Sequence, residues 1–253
     1  MVKNMAKFYS KIRPESGFTH FLYVAINALL PVLVLVFVRL QFVPIAIILL
    51  FLAKWRILAV KPRYWFANVR SNLVDLFVGL SVVSFMASTN NFYTQLAWTV
   101  LFVGWIVWLK PKSQQIAVIA QALVAQTLSL IAFYQAFPEM PIIVSVLGVW
   151  LICLASARHF LGVFEEDHTK QLANLWAWFG AVLAWILGHW VIFYMGIPQI
   201  ALILTAISYG MGIIYYLSAN DSLKQAAKNQ IIVAVGIILL IIIVFSDWQD
   251  KTI

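Results

Sequence analysis

The sequence predicts an all-α membrane protein, a polytopic bundle of about nine transmembrane helices that forms one integral membrane domain over residues 1–253. Three observations support this class. Hydrophobic residues make up 64% of the chain and charged residues 10%. The apolar residues fall into nine stretches of about twenty, which is the length of helix that crosses the hydrocarbon core. Of nine acidic residues, only Asp75 lies inside one of these stretches.

The connections between the stretches are short, so no separate soluble domain is expected. Residues 1–17 form a basic leader, and the first helix has no small-residue cleavage site after it, which predicts an uncleaved anchor. The nine predicted helices are Phe18–Val38, Phe42–Val60, Asn72–Ser88, Phe92–Leu109, Gln114–Ala136, Pro141–Leu161, Gln171–Tyr194, Pro198–Ser218 and Gln230–Phe245.

The distribution of cations predicts the orientation. With nine crossings, fifteen of the 17 Lys and Arg residues lie on one side, and only Arg39 and Lys251 lie on the other. Cytoplasmic loops carry the excess of Lys and Arg in membrane proteins. The amino terminus is therefore predicted to be inside and the carboxyl terminus outside.

Polar residues within hydrocarbon are expected to face protein or water, so they indicate the interior of the bundle. Asn72, Asp75 and Gly79 follow one another at spacings of three and four, which places them on one stripe of the third helix. We predict that Asp75 faces protein and contacts Arg56, Arg70 or Arg158.

Residues 54–71 form a basic, aromatic segment before this stripe, and it is predicted to lie along the inner membrane interface. In one interpretation Arg70 or Arg56 neutralises Asp75, and the remaining cations contact anionic lipid headgroups. In the other, Arg56, Arg63 and Arg70 bind an anionic ligand or lipid phosphate as bidentate donors, with Asp75 setting their geometry.

Further candidate residues lie on later helices. Gln121 belongs to a row of glutamines on the fifth helix, which either hydrogen-bond between helices or line a polar path. Arg158 and His159 lie at the inner end of the sixth helix, before an acidic turn. Trp185 and His189 share one face of the seventh helix, which is either a cavity wall or a lipid-facing belt.

The seventh helix also has a face of small residues, Gly180, Ala184 and Gly188. Small residues allow helices to approach closely where lipid provides no hydrophobic driving force. We expect this face to pack against a neighbouring helix, and Ser208 and Gly212 on the eighth helix are the proposed contact.

Several classes of function are disfavoured. The net charge of +8 lies in loops and at helix ends, so anionic lipid headgroups of the bilayer are the predicted partner and nucleic acid is not. The phosphate-binding and metal-binding motifs with known spacing do not occur, and no metal, cofactor or catalytic residue is predicted. A second copy of the chain or another membrane protein is the other kind of partner considered.

Several runs carry a family resemblance: Lys54-Trp55-Arg56, Pro62 to Trp65, Asn72 to Asp75, Ser156 to Phe160, and Gly188 to Trp190 followed by Ile197 to Leu202. They resemble a family of multi-pass membrane proteins from bacteria of the candidate phyla radiation, including Saccharibacteria. The resemblance implies a bacterial plasma membrane and emphasises the same polar positions, but it implies no reaction.

Three functions stay open from the sequence. The first is a permease-like protein that handles a small solute or lipid, supported by the glutamine row and the lone enclosed acid. The second is an assembly or scaffold subunit of an envelope complex, supported by small-residue faces and short loops. The third is a membrane enzyme acting on a lipid-linked anionic substrate, with Asp75 or His159 as base.

Overall fold

The structure, a computed structural model, describes residues 18–55, 61–164, 167–188, 193–194 and 196–247. Its α-helices correspond in order to the nine predicted stretches. They are α1 (Phe18–Arg39), α2 (Val43–Leu52), α3 (Trp65–Ala87), α4 (Phe92–Gly104), α5 (Gln115–Ala136), α6 (Ile142–Gly162), α7 (Thr169–Leu187), α8 (Gln199–Ala219) and α9 (Gln225–Phe245).

Four short elements lie between the described helices. A 3₁₀ turn, Pro62–Tyr64, precedes α3, and a π-helical turn, Trp105–Leu109, continues α4. The strands β1 (Phe193–Tyr194) and β2 (Ile197–Pro198) form an antiparallel pair before α8. Gly196 lies between them with a φ of 82°, which glycine adopts without a steric penalty.

The all-helical class is confirmed for the described residues, apart from this pair of two-residue strands. The prediction of helices able to span a membrane is also confirmed. Five helical segments are long and apolar enough to cross a bilayer: α4 with its π turn, α5, α6, α8 and α9. Shorter apolar helices lie at 25–39, 43–52 and 72–87. The count of nine crossings and the orientation stay predictions.

The second and third helices differ most from their predicted bounds. α2 ends at Leu52 and not at Val60, and a helix of 10 residues extends about 15 Å, half the hydrocarbon thickness. α3 begins at Trp65, so the last residues of the basic segment 54–71 are helical. Asp75 therefore lies almost three turns into α3, whereas the predicted start at Asn72 placed it one turn in.

The buried side chains form two clusters that α5 joins. One cluster contains residues of α1 to α4 and Ala125 of α5, with Met86 and Val34 fully buried. The other contains Leu130 and Tyr134 of α5 with residues of α6, α7 and α8. α3 packs extensively on α5, and α6 packs most extensively on α7.

The small-residue face of α7 packs closely, but on α6 and not on the α8 residues proposed from the sequence. A Cβ atom at Gly180 would lie 2.7 Å from Cys153 Sγ and 3.4 Å from Val149 Cγ1, both on α6. At Gly188 it would meet the carbonyl oxygen of Ala184 and lie 3.3 Å from Ile142 Cγ1. Helical periodicity identified the face correctly, but it carries no information about which helix covers it.

Side-chain contacts show which helix ends lie together. Lys54 after α2 and Lys110 after α4 both reach Asp75 on α3, and Asn220 after α8 reaches Gln115 at the start of α5. We call the end of the bundle where these helix ends lie the Asp75 end. At the opposite end, Arg39 Nη1 donates to the Asn90 carbonyl at 3.3 Å and to Gln95 Oε1 at 3.4 Å.

Candidate functional site: a lysine-aspartate cavity

Asp75 is bound by two lysines from different parts of the chain. The Nζ atoms of Lys54 and Lys110 each lie 2.7 Å from Asp75 Oδ2. Trp105 Nε1 donates to the other carboxylate oxygen, Oδ1, at 3.3 Å. The Asp75 side chain is only 16% exposed, so it faces protein as predicted. Charge-assisted hydrogen bonds of this kind are among the stronger ones in proteins.

The stripe on α3 holds this arrangement against α2. Lys54 Nζ also donates to Asn72 Oδ1 at 3.3 Å, one turn before Asp75. One turn after Asp75, a Cβ atom at Gly79 would lie 3.2 Å from the methyl groups of Leu50. The absence of a side chain at Gly79 therefore lets α2 approach α3, and this approach brings Lys54 within reach of the carboxylate.

The π turn places Trp105 and Lys110 on the same side of α4. Its backbone bond runs from the Lys110 amide to the Trp105 carbonyl, five residues apart. In a regular α-helix, residues five apart differ by about 140° around the axis and face different neighbours. The wider turn aligns them, so that both reach Asp75. Single π turns are frequent at functional sites.

These residues line a cavity of about 520 Å³ at the Asp75 end. Its polar lining comes from Lys54, Lys110, Asp75 and neighbouring amides, and its apolar lining from α1, α2, α3 and α4. Pockets of this size hold small ligands. The full lining is Ile26, Asn27, Leu30, Leu50, Ala53, Lys54, Trp55, Asn68, Asn72, Asp75, Leu76, Phe102, Trp105, Ile106 and Lys110.

The charges of this lining do not balance. Two lysines face one carboxylate, which leaves +1 among the described lining residues (2 − 1). Lys54 lies in the turn after α2, outside the helices. Burial lowers its pKa below the usual range, the attraction of Asp75 opposes this change, and the repulsion of Lys110 adds to it. Asp75 therefore favours the charged form of Lys54, and the net positive charge of the lining would attract an added anion.

Gln121 and His159 form a second polar group that secures the end of the π turn. Gln121 Nε2 donates to the carbonyls of Leu109 at 2.7 Å and Lys112 at 3.0 Å. His159 Nε2 lies 2.9 Å from Gln121 Oε1, which accepts from the imidazole. Gln121 thus bonds between helices, the simpler of the two predicted roles, and fixes the segment that carries Lys110.

Among the remaining predicted residues, those that the structure describes do not line the cavity. Arg63 is exposed, with its guanidinium 4.6 Å from the Tyr64 ring centre. Arg158 is half-buried near the end of α6, and Trp185 is 51% exposed on α7; neither lines the cavity. Arg56, His189 and the side chain of Arg70 lie outside the described residues.

A second cavity, of about 490 Å³, lies between α5, α6, α7 and α8 and is largely apolar. Gln126 supplies its main polar group, donating to Ser208 Oγ at 2.8 Å and accepting from Trp176 Nε1 at 3.0 Å. Like Gln121, this amide joins helices. The two glutamines therefore belong to separate contacts and not to one continuous polar path.

The roles of Lys54, Lys110 and Trp105 were not predicted from the sequence. The two lysines were counted only among the cations predicted on the cytoplasmic side, and Trp105 was not identified as a candidate site residue. A usable signal was present, because alternating helices put the end of the second helix, the end of the fourth and the start of the third at the same side. Lysines at such ends are candidate partners for an acid on the third helix, as are the arginines of segment 54–71.

No protein-family model, curated protein or solved structure matches this chain. The resemblance to membrane proteins of the candidate phyla radiation therefore stays a prediction, and arguments about function depend on the site itself.

Proposed function

We propose that this chain is a permease-like membrane protein that handles a small anionic solute or lipid at the Asp75 cavity. The observation that supports the proposal most directly is the pair of lysines on one carboxylate in a cavity of about 520 Å³. One lysine would be enough to neutralise the charge of Asp75. The second provides a charge that a ligand can use.

The physical basis is an exchange of partners. In the structure the ammonium groups of both lysines are paired with Asp75. An incoming carboxylate or phosphate would bind one lysine and leave the other paired with Asp75, so that neither a bare cation nor a bare anion is left in a poorly solvated site. Such exchange costs less than opening an ion pair without replacement.

The same contacts argue against Asp75 as a catalytic base. Its Oδ2 accepts from both lysines and its Oδ1 accepts from Trp105. A carboxylate stabilised by two cations is a weak base, because the cations favour its charged form. The proposal of an enzyme acting on a lipid-linked anion is therefore less well supported than that of a permease.

We propose that the Asp75 end faces the cytoplasm of a bacterial plasma membrane. The support is the excess of Lys and Arg residues predicted on this side of the membrane, together with the positive-inside rule. Anionic lipid headgroups of the inner leaflet and anionic cytoplasmic solutes would then both have access to the cavity.

The proposal is tested by thermal unfolding of the purified full chain in nanodiscs of zwitterionic lipid. The added ligands are inorganic phosphate and dihexanoyl phosphatidylglycerol. At least one is expected to raise the Tm, because a ligand that binds only the folded state stabilises it. Lys110→Met should abolish the increase. Lys112→Met is the matched control, because Lys112 lies over the Trp108 ring, 5.0 Å from its centre, and does not line the cavity.

Two results would contradict the proposal: no Tm increase with either ligand, or an increase that survives Lys110→Met. Movement across the membrane needs its own assay. Proteoliposomes should take up the stabilising ligand, labelled with phosphorus-32, and Lys110→Met should remove this uptake. Binding without uptake would reject the permease function and leave a binding protein.

A second candidate function, an assembly subunit, is favoured by α9. This helix packs on α8, where a Cβ atom at Gly210 would lie 2.5 Å from Val235 Cγ2. Only 6% of the apolar stretch of α9 is buried against other residues that the structure describes. A cysteine at Ile238, 42% exposed on α9, should crosslink to a partner in native membranes if the chain is a subunit. Absence of crosslinks would favour a lipid-facing helix.

A further inference from the structure

The Asp75 cavity has two chemically different parts. Its polar part contains Lys54, Lys110 and Asp75. Its apolar part is formed by side chains from four helices: Ile26 and Leu30 on α1, Leu50 on α2, Leu76 on α3, and Phe102 and Ile106 on α4 and its π turn. A site for a fully hydrated anion has no need of an apolar wall, whereas a molecule with a charged group and a hydrocarbon chain uses both parts.

The rim of the cavity is accessible from the side of the bundle. Two lining residues, Ile26 and Trp55, are each 61% exposed. Ile26 belongs to α1, where Leu29 is also 53% exposed. Exposed apolar side chains on a helix of a membrane bundle face lipid hydrocarbon. A chain lying in the bilayer can therefore reach the apolar part without first passing through water.

The two lysines differ in availability. Lys54 has a 17% exposed side chain and is held by both Asp75 and Asn72. Lys110 is 38% exposed at the end of the π turn. The more exposed ammonium loses less on changing partners, so Lys110 is the residue that would bind an incoming anion while Lys54 keeps Asp75.

We propose that the cavity binds a single-chain anionic amphiphile, with its carboxylate or phosphate on Lys110 and its hydrocarbon chain along Ile26, Leu30 and Phe102. This inference depends on the proposed anion site and specifies its ligand class. Lys54 and Asp75 are positioning residues that hold the polar end of the cavity together when the ligand is absent.

The test uses 9,10-dibromostearate, because bromine on the chain quenches tryptophan fluorescence at close range and Trp105 lines the cavity. The full chain is titrated in nanodiscs of zwitterionic lipid. Saturable quenching is expected, and unbrominated stearate should reverse it. Trp105→Phe should reduce the saturable part, which assigns the chain to this cavity and not to the lipid-facing surface.

Variants test the headgroup. Lys110→Met should weaken binding by about tenfold or more, as expected for loss of one charge-assisted hydrogen bond. Lys112→Met should leave the midpoint unchanged. The methyl ester of dibromostearate, which has the same chain and no charge, should also bind about tenfold more weakly than the acid. Lys110→Met should keep its unfolding transition, which shows that weaker binding does not arise from misfolding.

Each other outcome has a definite meaning. Equal binding of acid and ester would mean partition into apolar surface and would overturn the inference. Acetate or inorganic phosphate competing as strongly as stearate would also overturn it, while the proposed anion site would stand. Failure of both the soluble anions and the fatty acid to bind would reject the inference and the proposed function together. Dibrominated octadecyl phosphate in parallel distinguishes a phosphate from a carboxylate headgroup.

Discussion

Trp105 and Lys110, five residues apart, contact the same carboxylate because a π turn joins them. The indole nitrogen donates to Asp75 Oδ1 at 3.3 Å, and the ammonium nitrogen lies 2.7 Å from Oδ2. Gln121 holds the end of this turn through the Leu109 and Lys112 carbonyls. The backbone irregularity therefore has a specific effect, which is to bring a second cation to Asp75.

Changing the length of the π turn should test this geometry. Deletion of Val107 leaves Trp105 and Lys110 four residues apart, and in a regular α-helix such residues lie about 40° apart on one face. Insertion of alanine after Val107 places them six apart, on different faces. We expect the deletion to keep most of the thermal stability and the insertion to lower the Tm by several degrees. Equal effects would show that the π turn does not position the site.

Asp75→Ala should destabilise the protein by about 2–3 kcal/mol, because it leaves two lysines without a counter-charge; this is less than the roughly 3–5 kcal/mol for a fully buried ion pair, since these side chains are partly exposed. Lys110 is partly exposed, so most of the loss should come from Lys54. The double variant Lys54→Met with Asp75→Leu should recover much of it. Chemical unfolding in mixed micelles measures both. A double variant no more stable than Asp75→Ala would show that the two effects are not coupled.

Gly180→Ala should destabilise the protein by about 1–3 kcal/mol, as overpacking does in well-packed cores. The added methyl group would lie 2.7 Å from Cys153 Sγ. Replacing Cys153 by alanine should relieve the clash, so that the double variant is more stable than Gly180→Ala alone. Gly236→Ala on α9 is the matched control, since a Cβ atom there would have no neighbour within 4 Å among the residues that the structure describes. A Tm for Gly180→Ala equal to that of the control would show that α7 does not pack this closely.

Much of the fold could be predicted from composition and periodicity, because these patterns report local structure and the face that each helix buries. Every apolar stretch contains a helix, and the stripe of Asn72, Asp75 and Gly79 faces neighbouring helices. The partners of these faces could not be predicted in the same way. Among the described contacts, Asp75 pairs with Lys54 and Lys110, whereas the expected partners were arginines, of which Arg56 and the Arg70 side chain are not described.

The reason is that contact between helices depends on packing at a distance in sequence. Arg70 is near Asp75 along the chain, whereas Lys110 is brought to Asp75 by α4 and its π turn. The π turn could not be predicted from the sequence. On α7, Trp178 and Trp185 are 61% and 51% exposed, which agrees with a lipid-facing belt. Periodicity placed Trp185 on one face with His189 and left open whether that face lines a cavity.

The final prediction concerns topology, which the cation distribution predicts and the contacts constrain. The contacts place Arg39 and Asn90 at one end of the bundle, and Lys54, Lys110 and Lys112 at the other. If the Asp75 end is cytoplasmic, as the positive-inside rule indicates, a cysteine at Asn90 reacts from outside and one at Lys112 only from inside.

Cys153 is the only native cysteine and is buried, so its replacement gives a suitable background. Labelling of whole cells with a membrane-impermeant maleimide, before and after permeabilisation, measures both positions. Labelling at Lys112 in intact cells with protection at Asn90 would reverse the orientation. Labelling of both positions in intact cells would place the two ends on the same side, which the packing of α3 and α4 does not allow.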